Sequence, residues 1–208
     1  MSIVIINYGA GNLRSVQKAF EAVGVNATIT TDQALIRSAK GVVLPGVGSF
    51  DAAINELRAK GLEAVIEEVI ALKRPFLGIC LGMQHLFEAS AEGQQKGLAI
   101  LKGRVKKFTF QGTVNQGLSI PQMGWNRLLI KHPAPILKGI ENGTMMYFAH
   151  SYYCEPIDEG VVATRTDYGI EYTSAVWQDN LFGIQFHPEK SGPAGLQILK
   201  NFGELCLK

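Results

Sequence analysis

The sequence predicts an α/β fold: a mainly parallel open sheet flanked by helices, with a β-rich segment added in the second half. Three observations carry this. Short apolar runs without polar alternation, Ile3-Val4-Ile5-Ile6, Gly41-Val42-Val43-Leu44 and Phe76 to Ile79, read as strands buried on both faces. Stretches with apolar residues at helical spacing separate them. In the second half the pattern changes to a succession of short strands.

The elements follow in order. Ile3 to Ile6 ends in a Gly-rich turn, after which Leu13, Val16, Phe20 and Val23 recur at helical spacing and Gly24 stops the helix. Ala27 to Thr30 makes a second strand, and Asp32 caps a short helix through Ala39. Gly41 to Leu44 is a third strand, broken by Pro45-Gly46. Gly61 to Lys73 reads as a helix with Leu62, Val65, Ile66, Val69 and Ile70 on one face; Pro75 opens the next strand. Later strands are Arg104 to Phe110, Met145 to Tyr153, Val161 to Thr166, Thr173 to Trp177 and Phe182 to Phe186, the last two joined by a turn at Gln178-Asp179-Asn180. Ala194 to Cys206 is a helix that buries Leu196, Leu199, Phe202 and Leu205. No repeat or linker divides the 208 residues, so a single domain over 1–208 is expected.

A net charge of +2 is too small to argue for a nucleic-acid partner. The three cysteines, Cys80, Cys154 and Cys206, have no disulfide or zinc spacing, which fits a reduced, cytoplasmic protein with no metal. The stretch MSIVIINYGAGN lacks the basic start of a signal peptide, and no apolar run approaches the ~18 residues of a membrane helix.

Two glycine-rich turns carry little. NYGAGNLRS has Gly9 and Gly11, but Arg14 stands where a dinucleotide fingerprint needs its third glycine. PGVGSF lacks the Gly-Lys-Ser/Thr of a phosphate loop. GICLGMQ says more. Cys80 sits between Gly78 and Gly82, after a strand and before the helix-compatible run Leu81 to Phe87. That is the strand–nucleophile–helix elbow of G-x-S-x-G with sulfur in place of oxygen. Glycines relieve crowding at the strained turn, and the helix start offers N–H groups to a thiolate or an oxyanion.

A thiol nucleophile needs a base, and four histidines are available. His85 lies beyond the helix start, His132 in a loop, and His150 in an apolar strand where a structural role is expected. His187 ends the strand FGIQF and is followed by Pro188 and Glu189. Residues two apart in extended chain face one side, so Glu189 is expected to hold the His187 ring. From the residues alone, a thiol peptidase and a scaffold with an inert triad stay open.

Together GICLGMQ and FGIQFHPEKS resemble the class I, or triad, glutamine amidotransferases, whose fold is flavodoxin-like. NYGAGNLRSV, LPGVGSF, PQMGWN and YFAHSY narrow the resemblance to the family of glutaminase subunits of imidazole glycerol phosphate synthase, over almost the whole chain. The resemblance implies that Cys80 attacks the glutamine carboxamide, His187 protonates the departing ammonia and later activates water, and Glu189 orients His187. It implies oxyanion donors at Leu81 and at Gly46-Val47. It implies glutamine binding by Gln84, Gly48, His150, Ser151 and Tyr152. It implies no cofactor, and as partner a β/α-barrel cyclase subunit, met as a heterodimer by Asn12, Trp125, Tyr147 and Lys190.

Two departures from the family pattern stand out. Pro45-Gly46-Val47-Gly48 replaces the P-G-G of many class I glutaminases, and a bulky residue at 47 disfavours presenting the peptide N–H to an oxyanion. One lost donor costs about 10²–10³ in rate, so the isolated chain is expected to be a poor glutaminase until partner and nucleotide reorient that strand. Gln122 stands where relatives often have histidine before Met-Gly-Trp-Asn, which touches only interface detail. Lys102, Arg104 and Lys106 share one strand face, expected to be solvated, with contact to the partner barrel as the sharper alternative.

Overall fold

In the computed structural model, which describes residues 3–110 and 117–207, the first apolar run becomes strand β1, Ile3–Ile6. Its side chains alternate between two cores. Ile3 and Ile5 join Val16, Phe20, Leu77, Ile79 and Phe202 on one face, while Val4 and Ile6 join Leu44, Ile54, Leu57, Val65 and Ile66 on the other. A strand between two cores has no polar side, which is why the run is continuously apolar.

The remaining elements follow in chain order. They are α1 Leu13–Ala22, β2 Ala27–Thr30, α2 Gln33–Ser38, β3 Gly41–Gly46, α3 Phe50–Ala59, α4 Leu62–Ala71, β4 Phe76–Cys80 and α5 Leu81–Gln84. Then come β5 Ala89–Ser90, β6 Gly103–Lys107, β7 Gln122–Arg127, β8 Leu129–Ile130, β9 Met145–His150 and β10 Tyr152–Pro156. The chain closes with β11 Val162–Asp167, β12 Glu171–Gln178, β13 Leu181–Ile184 and α6 Gly192–Leu205.

The main sheet runs β2-β1-β3-β4-β13-β12-β10-β6-β5, with β11 on β12 and β8 on β11. From β2 to β13 every pairing is parallel; β13–β12, β12–β10 and β10–β6 are antiparallel. β7 and β9 form a separate antiparallel ribbon. Helices α1 and α6 cover one face, where Phe20 and Phe182 both meet Phe202 with ring centroids 6.3 Å apart. Asp32 caps α2 as expected, accepting from the N–H groups of Ala34 and Leu35.

Several elements depart from expectation. β3 continues through Pro45-Gly46, because Gly46 still pairs with Cys80. Helix α3 was not anticipated, although Phe50, Ala53, Ile54 and Leu57 bury at helical spacing. The β7 ribbon was not anticipated either, since its half-exposed QMGWNR has little strand character. α5 is one turn rather than a helix reaching Phe87. The carbonyls of His85 and Leu86, which a continuing helix would use, accept instead from Leu98 and Leu101 at 2.8 and 2.9 Å. Arg104 and Lys106 bond outward to Glu155 on an exposed face. Among the described residues, no helix is long and apolar enough to cross a membrane.

Candidate active site

Cys80 ends β4 between two parallel neighbours, β3 at Gly46 and β13 next to Ile79. Its backbone is at φ 55°, ψ −110°. A non-glycine residue there costs on the order of 1–3 kcal/mol, and such strain persists only where the surroundings over-determine it. The flanking glycines show how. A Cβ on Gly82 would stand 1.8 Å from the Leu44 carbonyl oxygen, and one on Gly78 would stand 2.7 Å from the Gly82 carbonyl oxygen. The glycines let α5 lie directly on β3 and β4; they are not there merely to uncrowd the sulfur. With α5 only one turn long, its contribution is its free N–H groups rather than a helix dipole.

His187 follows β13 and is fixed on its main chain. Its N–H donates to the Tyr147 carbonyl at 2.9 Å, and its carbonyl accepts from the Ser191 hydroxyl at 2.6 Å. Ser191 in turn accepts from the Tyr147 N–H at 3.0 Å. The ring Nδ1 lies 3.0 Å from the Glu189 carboxylate, whose side chain is almost wholly buried. Pro188–Lys190 is a 3-10 turn, so this contact comes from a tight turn and not from the extended chain expected. With Nδ1 on Glu189, the other ring nitrogen is the one left to serve Cys80. Burial lowers the imidazole's pKa, yet the bonds and charges of Cys80 and Glu189 outweigh it and hold the ring up at about 10.

Cys80 opens into a cleft of about 200 Å³, which Val47, Gly48, Leu81 and Gln84 line on one side and Ala149, His150, Ser151 and Tyr152 on the other. Gly46 does not line it, and a Cβ there would stand 2.6 Å from the Tyr8 hydroxyl, so the position is closed to a side chain. Gly48 has φ +99° and open space around it, so Gly46-Val47-Gly48 is held by contact at one end and free at the other. His150 is turned inward. Its Nδ1 is 2.7 Å from the Tyr152 carbonyl and its Nε2 is 3.2 Å from the Tyr172 hydroxyl. Burial drops its pKa to about 4, so it is neutral. His85 is likewise neutral, with Nε2 on the Phe50 carbonyl at 3.2 Å.

Three residues at the site were not singled out from the sequence. Glu92 lines the cleft, and its carboxylate accepts from the Phe50 N–H at 2.9 Å. Nothing in the loop ASAEGQQ marks it. Gln185, wholly buried, lies 3.5 Å from the Cys80 sulfur; a glutamine inside the apolar FGIQF was a legible signal. Ser191 is the third.

The four residues expected to face a partner are not all together. Trp125 and Tyr147 are opposite each other on the β7–β9 ribbon, rings 6.2 Å apart, and the Lys190 ammonium lies 5.7 Å over the Tyr147 ring. Met123, 67% exposed, extends this face beside Trp125. Asn12 is exposed on a different element, at the start of α1.

Known proteins resemble this chain along nearly its whole length. Residues 4–205 match the family model "Glutamine amidotransferase class-I". The imidazole glycerol phosphate synthase subunit HisH of Syntrophotalea carbinolica is 51% identical, covering 98% of this chain and all of its own. That of Moorella thermoacetica is 49% identical, covering 98% of this chain and 94% of its own. A crystal structure of a glutamine amidotransferase shares the fold, with TM-score 0.75, 19% identity and 99% coverage of both chains. An elbow cysteine, a carboxylate-held histidine and near-complete alignment with the HisH sequences therefore lead to one conclusion: the chain belongs to the class-I glutamine amidotransferase family, among the HisH subunits of imidazole glycerol phosphate synthase.

Proposed function

We propose that this chain, as a single domain in the cytoplasm, hydrolyses glutamine to glutamate and ammonia. It supplies the ammonia to a β/α-barrel cyclase subunit, which makes imidazole glycerol phosphate and aminoimidazole carboxamide ribonucleotide in histidine biosynthesis. The reading is carried by the chain Glu189–His187–Cys80 at the edge of a cleft of amino-acid size.

In this mechanism the Cys80 thiolate attacks the carboxamide carbon, and the oxygen takes the negative charge. The N–H groups of Leu81 and Val47 stabilise that oxyanion. His187, charged by transfer of the thiol proton, returns it to the departing nitrogen, leaving ammonia and a glutamyl thioester. It then takes a proton from water, which attacks the thioester and releases glutamate and the thiolate. Glu189 keeps the ring in one tautomer and steadies its positive charge. At the substrate's other end, Glu92 faces the α-ammonium, while Gln84, Gly48 and the His150-Ser151-Tyr152 backbone frame the amino-acid moiety.

The aromatic face of Trp125 and Tyr147, with Lys190 over the Tyr147 ring, is where the partner docks, and Asn12 at the start of α1 meets it separately. Exposed tryptophan and tyrosine are the side chains that most often anchor an interface. Partner binding turns the Gly46–Val47 peptide so that its N–H meets the oxyanion.

The test is glutamate release and product synthesis by the complex, with Cys80→Ser as control. The variant loses synthesis from glutamine and retains synthesis from added ammonia. Loss of both would make Cys80 structural. Equal glutaminase rates for the lone chain and the nucleotide-loaded complex would remove the switching role of Val47.

A further inference from the structure

Gln185 is wholly buried just past the end of β13, inside an otherwise apolar run. A buried amide must place two donors and an acceptor correctly, and which end is nitrogen follows from its neighbours. Here the neighbours decide it. The Gln84 amide nitrogen lies 3.2 Å from the Tyr152 main-chain carbonyl, a group that can only accept. That fixes the Gln84 NH₂ toward Tyr152 and, at 3.0 Å, toward the Gln185 side chain. The Gln185 atom meeting it must be the oxygen. Its NH₂ then points at the Cys80 sulfur, 3.5 Å away. One carbonyl on β10 thus sets the direction of two amides and aims an N–H at the sulfur.

We infer that Gln185 is a catalytic residue of the glutaminase: its amide N–H holds the Cys80 sulfur in its charged, attacking form and links it to Gln84 beside the bound glutamine. The inference rests on Cys80 being the nucleophile. A hydrogen bond to a charged acceptor is about twice as strong as one to a neutral acceptor, so an N–H on sulfur favours thiolate over thiol and over thioester. It therefore keeps more of Cys80 ready as the thiolate before the attack and eases the expulsion of sulfur when water opens the thioester. Gln185 itself gives up no proton. His187 on the other side supplies the charge; Gln185 supplies direction.

The test uses the complex with the cyclase subunit. Gln185→Met keeps the buried volume and removes the donor. Gln185→Glu keeps an acceptor for Gln84 but sets an oxygen against the sulfur. Both variants are expected to lower kcat with glutamine about ten- to hundredfold, with little change in KM. Synthesis from added ammonia stays at the wild-type rate. Alkylation of Cys80 by iodoacetamide at one fixed pH is slower in both. An unchanged alkylation rate in whichever variant keeps ammonia-dependent synthesis would overturn the inference. Loss of ammonia-dependent synthesis in both would do so too, since Gln185 would then be structural. Failure of the glutaminase reading is separate: it would show as no glutamate release by the wild-type complex.

Discussion

The Glu189 carboxylate meets Nδ1 of His187, two residues before it, at 3.0 Å in the 3-10 turn Pro188–Lys190, and both side chains are buried from solvent. Burial alone would drive the imidazole neutral, and the carboxylate and sulfur reverse this. Glu189→Gln keeps the shape and removes the charge. Glutamine-dependent turnover is expected to fall on the order of 10²–10⁴-fold, with ammonia-dependent synthesis unchanged. Steady-state assay of both reactions on one preparation checks this.

Glu92 is predicted to act on binding rather than on chemistry. Its carboxylate lines the cleft and is anchored on the Phe50 N–H. Glu92→Gln is expected to raise KM for glutamine about ten- to hundredfold, as loss of a charged hydrogen bond does, with a small change in kcat. A change confined to kcat would assign it elsewhere.

Gly82 and Gly48 are glycines for different reasons, and alanine should separate them. At Gly82 the added carbon meets the Leu44 carbonyl oxygen at 1.8 Å, so α5 must lift off β3. Gly82→Ala is expected to lose about 1–3 kcal/mol in urea unfolding and to displace Cys80, abolishing glutaminase activity. At Gly48 the space is open and only the φ of +99° is strained. Gly48→Ala is expected to cost about 1–2 kcal/mol and to retain part of the activity.

The buried histidines set opposing pH trends. His85 and His150 have folded values of about 4, below the ordinary 6.5, chiefly through burial. Their neutral forms are fully tolerated above about 6.5, and stability is lost as pH falls from there through about 4. His187 is raised to about 10, so its contribution is complete below about 6.5 and is lost as pH rises through 10. From these groups, stability peaks near pH 6.5. Urea unfolding at several pH values tests this, and His85→Leu is expected to flatten the acid side only.

Trp125→Ala is expected to separate folding from assembly. The side chain is 52% exposed, so the melting temperature stays within about 1–2 °C of wild type. Affinity for the cyclase subunit is expected to weaken about thirtyfold or more, the loss typical of an aromatic anchor. Calorimetric titration against the cyclase subunit reads the second effect.

The sequence by itself determined the parallel half of the sheet, the elbow at Cys80 and the pairing of His187 with Glu189. These depend on short-range facts: unbroken apolar runs, glycines two residues either side of a cysteine, and a carboxylate two residues from a histidine. It did not disclose that α5 ends after one turn, because the carbonyls that stop it are taken by Leu98 and Leu101 from the following loop. Nor did it disclose Glu92, which reaches the cleft only because its loop folds back on the start of α3 through Phe50 and Asp51. The direction of the Gln185 amide was hidden for the same reason. It is set by a carbonyl of Tyr152 acting through Gln84, and those three residues, far apart in the chain, meet only where α5, the start of β10 and the end of β13 are brought together by the fold. Hydrogen bonds between distant residues have no spacing in the sequence to announce them, so their partners are chosen by the tertiary structure.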